Sequence, residues 1–88
     1  MADDFDQPAA TLTLAEALDQ YLQALKKNPR YADAHYNLAL LYQTAGETMK
    51  AVLHWKAYLK IDSGSDWAII ARRELAKLKD ATIVRGRA

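Results

Sequence analysis

Apolar residues recur every three or four positions along most of this chain, and this spacing predicts helices. The predicted class is all-α. The four predicted helices, numbered α1 to α4, cover about 14–27, 31–45, 47–61 and 66–79.

Local signals place the ends of the first two helices. Thr13 and Glu16 have the spacing of a capping box, in which each side chain bonds a backbone NH of the other residue at the start of α1. Pro29 ends α1 because its ring disfavours a helical conformation in the residue before it. Gly46 ends α2, since glycine readily adopts the left-handed conformation that is common just after a helix.

The helices differ in how their apolar residues are distributed. α1 has one apolar side opposite a polar side, as expected for a helix with one buried face. α3 carries apolar residues almost all round, which predicts that it lies between two neighbours. Trp55 of α3 and Trp67 of α4 both fall on apolar stripes, so we expect both rings to pack in the core.

The middle two helices resemble a tetratricopeptide repeat that covers Ala32 to Ser65. Small residues stand where helices of this family approach closely, and aromatic residues stand where rings fill the space between hairpins. The resemblance implies two antiparallel helices joined by a tight turn. It also implies that such helical hairpins form a fragment of an α-α superhelix. The positions that carry it are Leu38, Ala39, Tyr42, Gly46, Ala51 and Trp55.

The flanking helices resemble further parts of such an array. α1 is similar to the second half of a preceding repeat, and α4 is similar to the solvating helix that ends an array. The span from Tyr31 to Leu78 is also similar to the tetratricopeptide tails of mercury-resistance-type (MerR-type) regulators, and we expect at most their tail, since the chain has no room for their DNA-binding domain. The half repeat is indicated by Ala17, Tyr21, Ala24 and Pro29.

Three residues depart from the family pattern. His35 stands where the family often has tryptophan, and Ser63 where it usually has proline. Tyr58 stands where it usually has a small residue. The Tyr58 ring should therefore push the following helix outward or fill a gap beside a small neighbour such as Ala68 or Ala71.

The resemblance also implies a protein or peptide partner on the concave side, which the first helix of each hairpin lines. Here that helix is α2, and Tyr36 and Leu40 are informative because two sizeable apolar groups on a polar face commonly mark a contact surface. The alternative is that scattered exposed apolar residues are normal, or that the N-terminal tail or the last helix covers them. The candidate protein-binding residues are Asp33, Tyr36, Asn37, Leu40, Gln43 and Thr44.

A second contact surface is predicted on α1. Because α1 resembles a half repeat whose first half is missing, part of its apolar side lacks an obvious cover. We expect self-association, in which a homodimer covers this surface; the alternative is that Phe5 and Leu12 fold back over it. The surface, called here the α1 arc, consists of Leu14, Leu18, Tyr21, Leu22 and Leu25.

Length and composition indicate one small domain. The chain has 88 residues, 51% of them apolar, and no cysteine, which excludes disulfides and thiolate metal sites. Its first residues are acidic and have neither the basic start nor the apolar run of a signal peptide, so we expect none. No run in the sequence approaches the roughly 20 apolar residues of a membrane span. We expect a cytoplasmic protein with no membrane partner, divided into a flexible acidic tail (1–12), a helical domain (13–80) and a basic frayed tail (81–88).

Charge is unevenly distributed, although the net charge is only +1. Acidic residues crowd the first part of the chain and basic residues the last part, which indicates an alternative function, the binding of nucleic acid or another polyanion. No aromatic residue lies among these cations and no nucleic-acid motif is present, so this function has less support. The cations are Arg72, Arg73, Lys77, Lys79, Arg85 and Arg87.

Catalytic and metal chemistry have little support in the sequence. His35 and His54 are the two histidines, whereas a metal site needs three or four ligands. We expect His35 at the edge of the core and His54 facing water or a neighbour. No nucleophile has a base at a motif spacing, and no glycine-rich phosphate loop is present. We therefore expect a scaffold rather than an enzyme, with no metal and no cofactor.

Overall fold

A computed structural model describes the backbone of residues 13–87 and the side chains of residues 13–80. These residues form four helices and no strand, so the all-α class is confirmed. The predicted tail over 1–12, which includes Phe5 and Leu12, lies outside the described residues. The helices are α1 (Leu14–Lys27), α2 (Ala32–Thr44), α3 (Thr48–Ile61) and α4 (Asp66–Arg87).

α1 begins and ends where the sequence predicts. The Glu16 amide donates to Thr13 Oγ1 at 3.1 Å, and the Thr13 amide donates to Glu16 Oε1 at 3.0 Å, so both bonds of the capping box are present. At the other end, the Asn28 amide donates to the Ala24 carbonyl at 2.9 Å. Asn28 then turns to an extended conformation, as the following Pro29 requires.

Gly46 forms the tight turn between α2 and α3. Its φ of +82° lies in the left-handed region. The Gly46 amide donates to the Gln43 carbonyl at 3.1 Å, and the Glu47 amide donates to the Tyr42 carbonyl at 2.8 Å. These two bonds make a Schellman motif, which satisfies carbonyls at the end of α2 and reverses the chain. α2 and α3 then pack together more extensively than any other pair of described helices.

The core lies between α2, α3 and α4. Trp55 is fully buried, as predicted, and its Nε1–H donates to Gln43 Oε1 at 3.0 Å. Most of its buried neighbours are alanines, which allow the helix backbones to approach closely. α1 contributes no buried residue. The buried residues among the described side chains are Ala34, Leu38, Ala39, Ala51, Trp55, Tyr58, Ala68 and Ala71.

Tyr58 fills a space beside small residues of α4. Its ring is buried in one cluster with Ala68 and Ala71, both fully buried. The hydroxyl reaches Asp62 and donates to Oδ2 at 2.5 Å, so the polar end of the side chain is satisfied. Of the two alternatives that the size of Tyr58 left open, the structure supports the filled gap.

The last helix is longer than the sequence predicts. The pattern indicates an end at about Lys79 and a frayed tail over 81–88, whereas the backbone stays helical through Arg87. Residues 81–85 include neither proline nor glycine, so no residue interrupts the helix before Gly86.

The prediction that Trp67 packs in the core is wrong. The side chain is 60% exposed. Ala68, one position later, is fully buried, and so is Ala71 one turn further on. Successive residues of a helix are rotated by about 100°. Trp67 therefore lies about 100° from Ala68 around α4, at the margin of the side that faces the core.

Candidate binding groove

A groove of about 310 Å³ is lined by residues of α2, α3 and α4. α2 provides four of its residues at spacings of three or four, which places them on one side of the helix. α3 and α4 each add one aromatic residue. This α2–α4 groove is lined by Asp33, Tyr36, Asn37, Leu40, Tyr58 and Trp67.

Two of the six predicted binding residues, Gln43 and Thr44, lie outside the groove. Gln43 is used internally, because its Oε1 accepts from Trp55 and its Nε2 donates to Glu74 Oε1 at 2.9 Å. Lys77 Nζ lies 3.1 Å from the other oxygen of Glu74. The hydrogen bonds from Gln43 and then from Lys77 lower the pKa of Glu74. Gln43 therefore links α2, α3 and α4 through its side chain.

The Tyr36 ring stands at the centre of an aromatic cluster. Its centroid lies 4.9 Å from that of Trp55, 5.2 Å from that of Tyr58 and 5.5 Å from that of Trp67, with each pair of rings close to perpendicular. Such edge-to-face contacts are favourable beyond the area that they bury. Burial, followed by the charge of Glu74, raises the pKa of the Tyr36 hydroxyl. Tyr36 therefore belongs both to the core and to the groove wall.

The loop between α3 and α4 fixes the position of Trp67. Asp62 Oδ2 accepts from the hydroxyls of Ser65 and Tyr58, and Oδ1 accepts from the amides of Gly64 and Ser65 at 3.3 and 3.2 Å. These bonds, the Ser65 hydroxyl first, lower the pKa of Asp62 to about 2. Ser65 Oγ also accepts at 3.2 Å from an amide in the first turn of α4 and so caps that helix. The carboxylate thus orders the turn from which Trp67 enters the groove.

Tyr58 and Trp67 line the groove, and neither was among the binding residues that the sequence predicts. The sequence feature that could have indicated Tyr58 as a groove residue is its departure from the family pattern. A large residue in place of a small one changes the surface beside it. The signal for Trp67 was the neighbouring Ala68, since an alanine is the better fit for close helix approach. Neither signal shows which rings face one another across three helices.

Outside this groove, His35 and His54 form a pair between α2 and α3. Their Nδ1 atoms lie 3.0 Å apart, and His35 Nε2 lies 2.9 Å from the carbonyl oxygen of Pro29. A carbonyl only accepts, so His35 Nε2–H donates to it; in the neutral pair His54 Nδ1–H then donates to His35 Nδ1. Burial, and then His35, lower the pKa of His54, whose ring also stacks on Tyr42.

The histidine pair does not extend to a metal site. Within residues 13–80, no group of three or more histidine, cysteine, aspartate or glutamate side chains could hold a metal ion. The pair instead connects the turn after α1 to α2 and α3 through side-chain hydrogen bonds. The two rings are half-buried, in keeping with the expectation that His35 lies at the core edge and His54 against a neighbour.

The basic side chains of α4 serve partly as internal contacts. Arg72 Nη1 donates to the Ser63 carbonyl at 3.0 Å, and Lys77 pairs with Glu74. The side chains of Arg85 and Arg87 lie outside the described residues. Polyanion binding therefore stays a prediction from the charge distribution alone.

The α1 arc is partly exposed. Leu14 is 43% exposed and Leu22 is 39% exposed, whereas Leu18, Tyr21 and Leu25 are half-buried. α1 packs mainly against α2, so its outer side has no helical neighbour among the described residues. Self-association through this surface stays a prediction.

One family model matches part of the chain. The family model described as a TPR repeat matches residues 13–46, from the cap of α1 to the glycine that follows α2. No curated protein and no solved structure matches the chain. The match confirms the tetratricopeptide resemblance and covers the helix assigned above to a half repeat, whereas the resemblance to MerR-type tails receives no support. None of the described helices is both long enough and apolar enough to span a bilayer.

Proposed function

Since this chain is a tetratricopeptide-repeat-like protein, we propose that it is an interaction scaffold that binds a peptide or protein surface through the α2–α4 groove. Repeats of this type indicate protein–protein interaction in general, because stacked helical hairpins create concave surfaces suited to extended partners. The assignment of the binding surface to this groove is the more specific part of the proposal. We also propose that the protein is cytoplasmic and that it acts as a scaffold without catalytic activity.

The observation that carries the proposal is the exposure of two large apolar side chains in one concave site. Leu40 is 40% exposed and Trp67 is 60% exposed, and both line the groove. Tryptophan and tyrosine are the residues that most often dominate binding energy at interfaces, and they do so when a partner removes them from water. Asp33 and Asn37 provide polar groups at the same site, as expected for an interface with an apolar centre and a polar rim.

The groove wall is also held in place before any partner arrives. Tyr36 is fixed by three ring contacts, and the first turn of α4 is fixed by Asp62 and Ser65. A site whose side chains are already ordered loses less conformational entropy on binding. This arrangement favours a partner segment that fits a preformed surface.

Affinity capture with groove variants tests the proposal. Tyr36 is a poor choice for substitution because its ring supports the core, so the test uses Leu40→Ser and Trp67→Ser, which alter exposed side chains. We expect partners captured from lysate by the wild-type chain, and identified by mass spectrometry, to be lost with each variant. Circular dichroism should show unchanged helix content in both.

Matched controls lie on the same helices outside the groove. Leu53 is 61% exposed on α3 and Ile69 is 54% exposed on α4. Leu53→Ser and Ile69→Ser should retain the partners that the groove variants lose. Partners that bind all four variants equally well would show that the groove is not the binding surface, and the proposal would fail.

A further inference from the structure

The α2–α4 groove contains a carboxylate that no other described side chain neutralises. Asp33 is exposed, and its contact with Asn37 runs through the Asp33 backbone carbonyl, which accepts from Asn37 Nδ2 at 2.8 Å. Within residues 13–80, the Asp33 carboxylate takes part in no hydrogen bond or ion pair. It is the one charged side chain in the lining.

Two other carboxylates near the aromatic cluster are already occupied. Asp62 accepts from Tyr58, Ser65 and the loop amides, and Glu74 accepts from Gln43 and Lys77. A ligand therefore finds free acceptor oxygens at Asp33 and not at these two. Electrostatic complementarity then favours a cation over an anion at the groove.

One cation lies close to the groove wall. Arg73 affects Tyr36 from α4, where it opposes the larger influences of burial and Glu74. Arg73 makes no ion pair with Asp33 in the structure. Arg73 therefore leaves the carboxylate oxygens of Asp33 available to a ligand, although the positive end of the α2 dipole lies near this residue.

The remaining walls suit the long side chain of arginine. Trp67 is largely exposed, and the π face of an indole attracts a cation that lies within about 6 Å of the ring centroid. Leu40 is an exposed apolar wall against which the methylene stem of a long cationic side chain can pack. A guanidinium group stacks on aromatic rings and pairs with a carboxylate through two parallel hydrogen bonds, which an ammonium group cannot do.

We propose that the groove receives an arginine side chain of the partner, with the guanidinium at the Asp33 carboxylate and the Trp67 indole and with the stem along Leu40. This inference rests on the proposed function, because it specifies what the same groove recognises. The partner is then a protein segment that presents an arginine beside apolar residues.

Nuclear magnetic resonance titration tests the charge directly. The probes are the acetylated and amidated tripeptide leucine-arginine-leucine and the same tripeptide with citrulline, which keeps the shape of arginine without its charge. With the arginine tripeptide we expect saturable shifts of the backbone amides of Asp33 and Leu40 and of the Trp67 indole NH. The citrulline tripeptide should bind about tenfold more weakly, since it loses the charge-assisted hydrogen bonds.

A pair of matched variants locates the effect. Asp33→Asn removes the charge and keeps the shape of the side chain, and it should abolish the preference for arginine over citrulline. Asp80→Asn makes the same change in net charge at an exposed residue about 20 Å along α4 from Trp67, and it should leave the preference intact. Equal loss of the preference in the two variants would overturn the inference.

The outcomes separate this inference from the proposed function. If citrulline and arginine tripeptides shift the groove signals with equal affinity, the arginine inference fails while the groove is still a peptide site. If neither tripeptide shifts any groove signal, the arginine inference also fails, and partner capture by the Leu40→Ser and Leu53→Ser variants decides the proposed function independently.

Discussion

α1 and α3 are each 14 residues long, but they occupy different positions in the molecule. α3 packs between α2 and α4, and it buries Ala51, Trp55 and Tyr58. α1 packs mainly against α2 and buries no residue completely. Their sequences already differ in the corresponding way, because α1 has one apolar side and α3 has apolar residues almost all round.

The difference shows that a clear amphipathic pattern is typical of a helix at the edge of the molecule and not of a helix at its centre. A helix with one covered face needs one apolar side, which gives α1 its regular pattern. A helix with two neighbours needs apolar residues on more than one side, so its pattern is less regular while its burial is greater. The stability of the molecule should therefore depend far more on α3 than on α1.

The largest effect is expected from Trp55→Ala. Loss of this buried ring should lower the free energy of unfolding by about 3–5 kcal/mol, which is close to the whole stability of a domain this small. Trp67→Ala is the matched control and should cost about 1 kcal/mol or less, because its side chain is largely exposed. Urea denaturation followed by circular dichroism measures both, and similar costs would contradict the contrast between core and groove.

Because α1 lies at the edge of the molecule with part of its apolar side exposed, we can predict the molecular mass of the protein in solution. If a second copy covers the α1 arc, light scattering at high micromolar concentration should give about twice the 9.9 kDa of the monomer. Leu14→Gln combined with Leu22→Gln should return the chain to a monomer, whereas Met49→Gln combined with Leu53→Gln should not. A wild-type chain that stays monomeric would rule out the homodimer, and protected tail amides in hydrogen exchange would then favour cover by the N-terminal tail.

The turns on either side of α3 differ in their need for glycine. Gly46 has a φ of +82°, so Gly46→Ala should cost about 1–2 kcal/mol through strain in the left-handed region, although a Cβ there would meet no atom within 4 Å. Gly64 also has open space but lacks a positive φ, so Gly64→Ala should be neutral or slightly stabilising. Thermal unfolding of the two variants measures the difference, and an equal decrease in Tm would argue against the Schellman turn.

The smallest expected effect on stability is the pH dependence caused by the histidine pair, which connects the turn after α1 to α2 and α3. Burial first, and His35 second, lower the pKa of His54 below the ordinary 6.5, so the unfolded chain takes up the proton more readily than the folded chain. Stability should therefore be complete above about pH 6.5 and decrease as the pH falls toward the folded-state pKa. The measurement is the urea midpoint as a function of pH.

His54→Phe provides the control for this titration. It keeps an aromatic ring against Tyr42 and removes the titrating group, so the variant should lose less stability over the same pH interval. The pKa of Asp62 is lowered from the ordinary 3.8 to about 2, so its contribution to stability changes only near and below pH 3.8. The same pH dependence in wild type and variant would assign the effect to other groups.

The sequence predicts local features of this fold well because they depend on neighbours in the chain. The capping box at Thr13, the break at Pro29 and the turn at Gly46 each involve residues within a few positions of one another. Features that join separate helices are less predictable. The bond from Trp55 to Gln43 connects residues 12 positions apart on different helices, and the sequence pattern gave no sign of it.

The groove was partly predictable for the same reason. Asp33, Tyr36, Asn37 and Leu40 share one side of α2, so helical periodicity alone brings them together. Tyr58 and Trp67 reach the groove from other helices, and their arrival depends on how α3 and α4 are placed. Helical periodicity identifies the side of a helix, whereas the packing of neighbouring helices decides which rings complete the site.

The two tryptophans have opposite environments, and this gives the molecule two separate optical reporters. Trp55 is dry and hydrogen-bonded, so its fluorescence should be blue-shifted and shielded from iodide, whereas the exposed indole of Trp67 should emit at longer wavelength and be quenched readily. Unfolding would change the first signal, and occupation of the groove would change the second. One emission spectrum can thus distinguish loss of structure from binding without any attached label.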